Sequence, residues 1–342
     1  MAERTELSTL GEFGLINRIA QNINKKYNPE TVWGIGDDAA VIDVGDRYML
    51  LSTDMLLEGI HFDLSYTPLR HLGYKAVAVN ISDIAAMNGI PKQITVSIAM
   101  SNRFSVEAVD ELYTGIRMAC ESYNVDLVGG DTTASRSGLV ISITATGFVE
   151  KDKVVYRNGA KPNDILCVTG DIGAAYLGLQ VLEREKQVYM ADPQMQPELE
   201  EKQYLVERLL KPEARTDVVY ELRELGVHPT SMIDISDGLA SEIMHICKQS
   251  GVGVNIYEDK LPVEDLTFLT ASELNLSPIT AAMNGGEDYE LLFTIRQSDF
   301  DKIKNSAYIT PIGFMTESKN YELILKSGTR AEIQAQGWVH LK

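Results

Sequence analysis

Carboxylates flanked by small residues recur along this chain. They stand in Gly34-Ile35-Gly36-Asp37-Asp38-Ala39, Ser52-Thr53-Asp54, Ser82-Asp83, Gly129-Gly130-Asp131, Asp234-Ile235-Ser236-Asp237-Gly238 and Gly285-Gly286-Glu287-Asp288. Adjacent like charges such as Asp37 and Asp38 repel, so solvent, basic side chains or a cation must compensate them. Each turn alone has an ordinary explanation, because Gly, Ser and Asp are standard turn residues. A merely solvated surface, however, gives no reason for most of them to follow an apolar run. Asp38, Asp54, Asp83, Asp131, Asp234 and Asp237, with Ser52 and Thr53 beside them, are hard oxygen donors. Such donors suit Mg²⁺, which takes one or two carboxylates plus phosphate oxygens and water. Competing chemistries lack their residues. There is no G-x-x-x-x-G-K-[ST], Gly34-Ile35-Gly36 has no third glycine of the dinucleotide fingerprint, and neither the protein-kinase set nor G-x-S-x-G occurs.

The elements that must carry these groups alternate in type. Gly11 to Lys26 reads as an amphipathic helix with Phe13, Ile16, Ile19, Ala20 and Ile23 on one side. A short apolar run at 40–42 and a strand from Arg47 to Thr53, ending at Asp54, follow the Gly-Asp-Asp turn. Small and apolar residues at 73, 76, 77, 80, 81, 84 and 85 have helical spacing, with Asp83 near the edge of that face and Asn88-Gly89 as the stop. Ile94, Val96 and Ile98 predict a strand, Val106 to Glu121 a helix, and Val125 to Val128 a strand that ends in Gly129-Gly130-Asp131. Leu139 to Val149 alternates as a further strand. Gly159 to Asp164 has the composition of a domain boundary, after which Ile165–Thr169, 252–257, 289–295 and 309–314 read as strands, while Ser231-Met232-Ile233 leads into Asp234-Ile235-Ser236-Asp237-Gly238 and 239–249 continues as a helix. Residues 183–208 are charged and read as a solvated helix–loop–helix of little functional weight. The expectation is a two-domain α/β protein with mixed sheets, divided into residues 1–150 and 151–342.

At 342 residues, 44% apolar and 23% charged, the chain has ample material for a core. A net charge of −18 argues against nucleic acid or an anionic membrane as partner. Cys120, Cys167 and Cys247 are too scattered for a zinc site or disulfide framework and fit a reducing, cytoplasmic compartment. No secretory leader and no apolar run long enough to span a bilayer can be read.

These motifs, in order and spacing from about residue 11 to 340, closely resemble the thiamine-monophosphate kinase family. The resemblance also rests on Gly59-Ile60-His61-Phe62, on Tyr74 to Met87 (YKAVAVNISDIAAM) and on Gly285 to Leu291 (GGEDYEL). It implies the fold of the aminoimidazole ribonucleotide synthetase superfamily, with N-terminal sheets pairing in a homodimer. It implies transfer of the ATP γ-phosphate to thiamine monophosphate, assisted by several Mg²⁺ ions. By the same resemblance Asp38, Ser52, Thr53, Asp54, Asp83, Asp131 and Asp234 match metal positions, and Asp237 one near the acceptor phosphate. Tyr113, Gly130, Asp131, Arg157 and Ser236 match ATP contacts; His61, Glu287 and Trp338 match contacts to thiamine phosphate. The family more often ends in Gly-Tyr-Asp-His-Phe, where this chain has Gly337-Trp338-Val339-His340-Leu341. The chemistry agrees. A phosphate monoester acceptor is already ionised and needs no general base, so the problem is bringing two polyanions together. Aspartates without an obvious base or activated nucleophile suit that problem. Among superfamily rivals, selenophosphate synthetase would want a reactive N-terminal Cys or Sec, and the hydrogenase-maturation protein a C-terminal cysteine; neither is present. A non-catalytic Mg-nucleotide sensor on the same fold is the rival of a different class.

Overall fold

The alternation of Val-Ile-Ser-Ile-Thr-Ala-Thr-Gly-Phe-Val at 140–149 buries every second residue, as a sheet with one covered face requires. In this computed structural model, which describes residues 9–23 and 26–335, that segment is the centre of a six-stranded sheet. Its strands are β1 (Thr31–Trp33), β2 (Ala40–Asp43), β3 (Tyr48–Leu57), β4 (Ile90–Met100), β5 (Asp126–Ala134) and β6 (Val140–Val149). Their order is β1-β2-β3-β6-β4-β5, antiparallel except for the parallel β4–β5 pair. Ile94, Val96, Ile98, Ile141, Ile143 and Ala145 form the covered face, over which the helices Leu69–Ala86 and Val106–Tyr123 pack. The two helices cross at glycines. A Cβ on Gly73 would lie 2.0 Å from the Leu112 carbonyl, and one on Gly115 only 1.8 Å from that of Arg70, so both positions demand glycine for backbone-to-backbone approach.

The second sheet comprises β7 (Ile165–Thr169), β8 (Ser231–Asp234), β9 (Gly253–Tyr257), β10 (Leu291–Ile295), β11 (Ile309–Thr316), β12 (Tyr321–Ile324) and β13 (Arg330–Glu332). The order is β13-β12-β9-β11-β7-β10-β8, and only β12–β9 is parallel. All five residues of β10 are buried, so both faces of this sheet are covered there. The Leu69–Ala86 helix belongs to both halves. Its Ile81 and Ile84 pack on the first sheet, while Ala85 and Ala86 join Val218, Val219 and Phe293 beneath the second. That shared helix fixes where the two halves meet, and the candidate site lies along it.

Several sequence expectations are corrected here. The first helix ends at Asn22 rather than Lys26. β3 does not stop at Asp54 but continues to Leu57, because β6 offers ten residues in register and Leu56 stays on the buried face. Gly129-Gly130-Asp131 is not a turn after a strand; it is the middle of β5, hydrogen-bonded along β4. The segment 183–208 is more than a solvated excursion. Leu205 and Glu185 are buried, Glu183 lines the main cleft, and Arg208 reaches Glu290 at 2.9 Å.

Candidate active site

Strand alternation decides which acids meet. On β3, Ser52 and Asp54 fall on the covered face and Thr53 on the open one. The Ser52 hydroxyl donates to Asp83, and the Asp54 backbone N–H donates to Asn80 Oδ1 at 2.9 Å. Asn80, Ser82 and Asp83 all come from the shared helix, whose spacing brings them to the end of β3 and to Asp234 at the end of β8. Ser82 Oγ donates to Asp234 Oδ2 at 2.5 Å. Asp38 enters from the Gly-Asp-Asp bend. It is held by the Arg157 fork, with Nε at 3.2 Å and Nη2 at 2.6 Å from Oδ1. The Arg157 backbone N–H also donates to the Asp37 carboxylate, at 3.2 Å to Oδ2. The result is a trio, Asp38, Asp83 and Asp234, each offering an oxygen within 4.8 Å of the others.

Burial and mutual repulsion raise these acids. Asp234 is pushed up to about 7, first by burial and then by Asp38, with Arg157 pulling the other way. Asp83 lies well above the ordinary range, from burial and then the charges of Asp54, Asp234 and Asp38. Asp54 rises to about 6 by burial, then Glu287 and Asp38. Asp37 reaches about 7 through burial and its neighbour Asp38. Asp38 Oδ2 is buried without a hydrogen-bond partner. A trio of hard oxygens with one orphaned acceptor, repelling one another, fits a divalent cation such as Mg²⁺.

These shifts have a measurable consequence. Carboxyls whose folded-state values lie above their unfolded ones bind more protons folded than unfolded, so metal-free stability falls as pH rises through about 6 to 7. The melting temperature of the metal-free protein should therefore rise on going from pH 8 to about 6.5. Mg²⁺ competes with those protons, so the rise it produces in melting temperature should be larger at pH 8 than at 6.5. The buried His245, depressed to about 4, stays neutral in the folded protein but gains a proton in the unfolded chain as pH falls toward 6.5, so it opposes the trend weakly, as one imidazole against several raised carboxyls. Differential scanning fluorimetry at both pH values, with and without Mg²⁺, checks it; a Mg²⁺ effect independent of pH would contradict it.

A cleft of about 520 Å³ opens from the acids. Asp54, Asp83, Asp234 and Asp237 line one end, and Phe62, Tyr66, Tyr176, Leu179 and Leu209 supply apolar wall elsewhere. Ser236 and Asp237 follow β8, and their backbone N–H groups donate to the buried Glu242 Oε1 at 3.2 and 2.9 Å. His61 sits in the turn after β3, where Nδ1 accepts from Leu57 N–H at 3.0 Å, and it lines the cleft. The same segment is tied to the helix Ala174–Ala191 by Asp63–Lys186 at 2.5 Å and by the Tyr66 hydroxyl donating to Glu183 at 2.7 Å. Glu287 also lines the cleft and pairs with Lys75 at 2.5 Å.

Not every residue singled out from the sequence reaches this cleft. Thr53 points to the open face, donating to the Ile143 carbonyl at 3.0 Å and accepting from Thr144 at 3.1 Å. Gly130 and Asp131 lie on the edge strand β5, three strands from β3, which is about 14 Å. Asp131 is in register with Ser97, on the open face, away from the trio. Tyr113 packs on the first core from the Val106–Tyr123 helix. Trp338 lies outside the described residues. Conversely, Lys75, Asn80, Ser82 and Glu242 belong to the site and carried no role in the sequence reading. A lysine inside an otherwise small and apolar helix was the signal for Lys75.

Known proteins share this arrangement. The family model described as AIR synthase related protein, N-terminal domain, matches residues 36–149, and its C-terminal counterpart matches 161–308. The chain is 34% identical to the thiamine-monophosphate kinase of Aquifex aeolicus (strain VF5), covering 98% of this chain and 99% of that one. It is 34% identical to the thiamine-monophosphate kinase of Bacillus subtilis (strain 168), covering 97% and 100%. A solved structure, AaThiL complexed with AMPPCP and TMP, matches with a TM-score of 0.85 and 32% identity over 99% of this chain and 100% of that one. On the fold, the acid trio and these full-length likenesses together, the chain belongs to the thiamine-monophosphate kinase family within the AIR synthase related proteins.

Proposed function

We propose that this protein phosphorylates thiamine monophosphate with ATP, giving thiamine diphosphate and ADP. The observation that carries the reading is the junction of the Asp38–Asp83–Asp234 trio with a partly apolar cleft large enough for an acceptor of two linked rings. The relatives named above support it, as does a solved relative complexed with AMPPCP and TMP.

Asp38, Asp54, Asp83 and Asp234, with Ser52 and Asp237, are the side chains we assign to holding several Mg²⁺ ions. When bound, Mg²⁺ supplies charge neutralisation between the two polyanions. Arg157 is fixed by Asp38 and presents the rest of its guanidinium to nucleotide phosphate, with Ser236 as a second contact. His61 and Glu287 flank the acceptor in the cleft. An oxygen of the acceptor phosphate attacks the γ-phosphorus, the bond to the β,γ-bridging oxygen breaks, and ADP departs with that electron pair. No proton need be removed from a dianionic acceptor, so the chemistry asks for no general base. Transfer is direct.

We read residues 1–150 as the ATP- and metal-holding domain and 151–342 as its partner domain, working in a reducing cytoplasm. We also read the protein as a homodimer paired through the first sheet. Supporting this, all nine residues of β5 are exposed, and an uncovered edge strand is a template for pairing. Thr53, Gly130 and Asp131 would then face the second copy, and the nucleotide end of the site would be built at that seam.

Product analysis tests the function. Protein, ATP, Mg²⁺ and thiamine monophosphate should yield thiamine diphosphate and ADP in equal amounts, with no diphosphate from thiamine. Nucleotide binding without turnover would sink the kinase reading and leave a sensor.

A further inference from the structure

Lys75 is 3% exposed, inside the Leu69–Ala86 helix, and its Nζ lies 2.5 Å from Glu287 Oε2. A lysine is almost never buried so deeply unless paired. Among the charged described residues lining the cleft, seven are Asp or Glu, and Lys75 is the one with a lysine or arginine side chain. Its partner is aimed with unusual care. Glu287 (φ +64°) and Tyr289 (φ +53°) both take left-handed backbone that side chains other than glycine rarely adopt. Four contacts hold that backbone in place. Glu287 N–H donates to Ser236 O at 2.8 Å and Tyr289 N–H to Ile235 O at 2.9 Å. Asp288 accepts from Gly173 N–H at 2.8 Å, and Glu290 is clamped by Arg208 at 2.9 Å. Strain retained in this way marks a carboxylate whose direction matters.

We propose that the Lys75–Glu287 pair selects a zwitterionic acceptor, one with a ring cation at one end and a phosphate at the other, over the corresponding unphosphorylated alcohol. This inference rests on the acceptor assigned above. The zwitterion can exchange partners with the pair: Glu287 meets the ring cation, Lys75 meets the phosphate, and no buried charge is left alone. The alcohol brings the cation only. Drawing Glu287 to it takes from the buried Lys75 ammonium its ion-pair partner at 2.5 Å, and breaking one half of a buried pair is unfavourable. Rejecting a ligand that leaves a buried polar group unpaired is the most discriminating kind of selection available to a binding site.

Calorimetric titration of the full chain with thiamine monophosphate and with thiamine, in Mg²⁺ without ATP, tests this. The wild type should favour the monophosphate by about 100-fold or more. Lys75→Met should cut that ratio by about tenfold or more, chiefly by weakening the monophosphate, and Lys75→Arg should restore most of it. Should Lys75→Met fail to fold, as judged by melting and ATP-analogue binding, Lys75→Gln carries the same expectation. An unchanged ratio in either folded variant overturns the proposal and gives the selectivity to the metal-binding acids alone. Wild-type turnover is scored separately. A Lys75-dependent ratio without any diphosphate formed would sink the kinase reading while leaving this inference standing.

Discussion

Asp234→Asn should lower kcat/KM for phosphoryl transfer by about 10³-fold while leaving a folded and somewhat more stable protein. Asp234 is 4% exposed at the end of β8, where Ser82 Oγ donates to it at 2.5 Å. Asparagine keeps the shape and an acceptor oxygen but removes the charge. The folded state already resists that charge: burial and Asp38 push the carboxyl up to about 7, so at pH 8 ionising it costs stability. Neutralising it should therefore raise the metal-free melting temperature at pH 8 and reduce the further rise that Mg²⁺ produces. Activity falls because the amide cannot balance a divalent cation as a carboxylate does. Steady-state kinetics together with Mg²⁺-dependent melting separate this from simple misfolding. Near-wild-type kcat/KM, or an undiminished Mg²⁺ effect on melting, would remove Asp234 from the metal-holding set.

Glu290→Ala should destabilise the fold by about 3–5 kcal/mol. Glu290 is 1% exposed and accepts from Thr169 Oγ1 at 2.5 Å, Arg208 Nη2 at 2.9 Å and Arg215 Nη1 at 2.9 Å. Arg208 and Arg215 are themselves largely buried, with side chains 13% and 10% exposed. Deleting the carboxylate leaves two guanidiniums in the interior without their shared partner. Arg215 retains Asp217 at 2.9 Å, which places the loss toward the lower end of the range. The damage should also reach the cleft. Glu290 anchors the end of the turn that carries Glu287, so KM for the acceptor should rise more than KM for ATP in whatever fraction stays folded. Urea unfolding measures the first effect and steady-state kinetics the second. A loss below about 1 kcal/mol would show that water repairs the vacancy and that the network is not structural.

The sequence by itself determined the class of chemistry and the kind of scaffold. Periodicity of two in 140–149 and a small-residue helical face from Gly73 onward follow from local geometry, and both elements form where that pattern predicts them. The recurrence of Asp beside Gly, Ser and Thr, with the motif order, was enough to recognise the family. What tertiary structure decided is which of those acids share a volume. Asp38, Asp83 and Asp234 are far apart in the chain, and they meet because one helix runs between the two sheets. Ser52 and Thr53 are neighbours in sequence yet face opposite sides of β3, since a pleated strand turns every second side chain away. Asp131 looks like the other acids in sequence, but strand order puts it on a distant edge. Lys75 reads as an oddity in an apolar helix until the second domain brings Glu287 against it. Local residue type reports which chemistry a side chain can do; only the crossing of elements far apart in the chain fixes its neighbours, and with them its charge and its use.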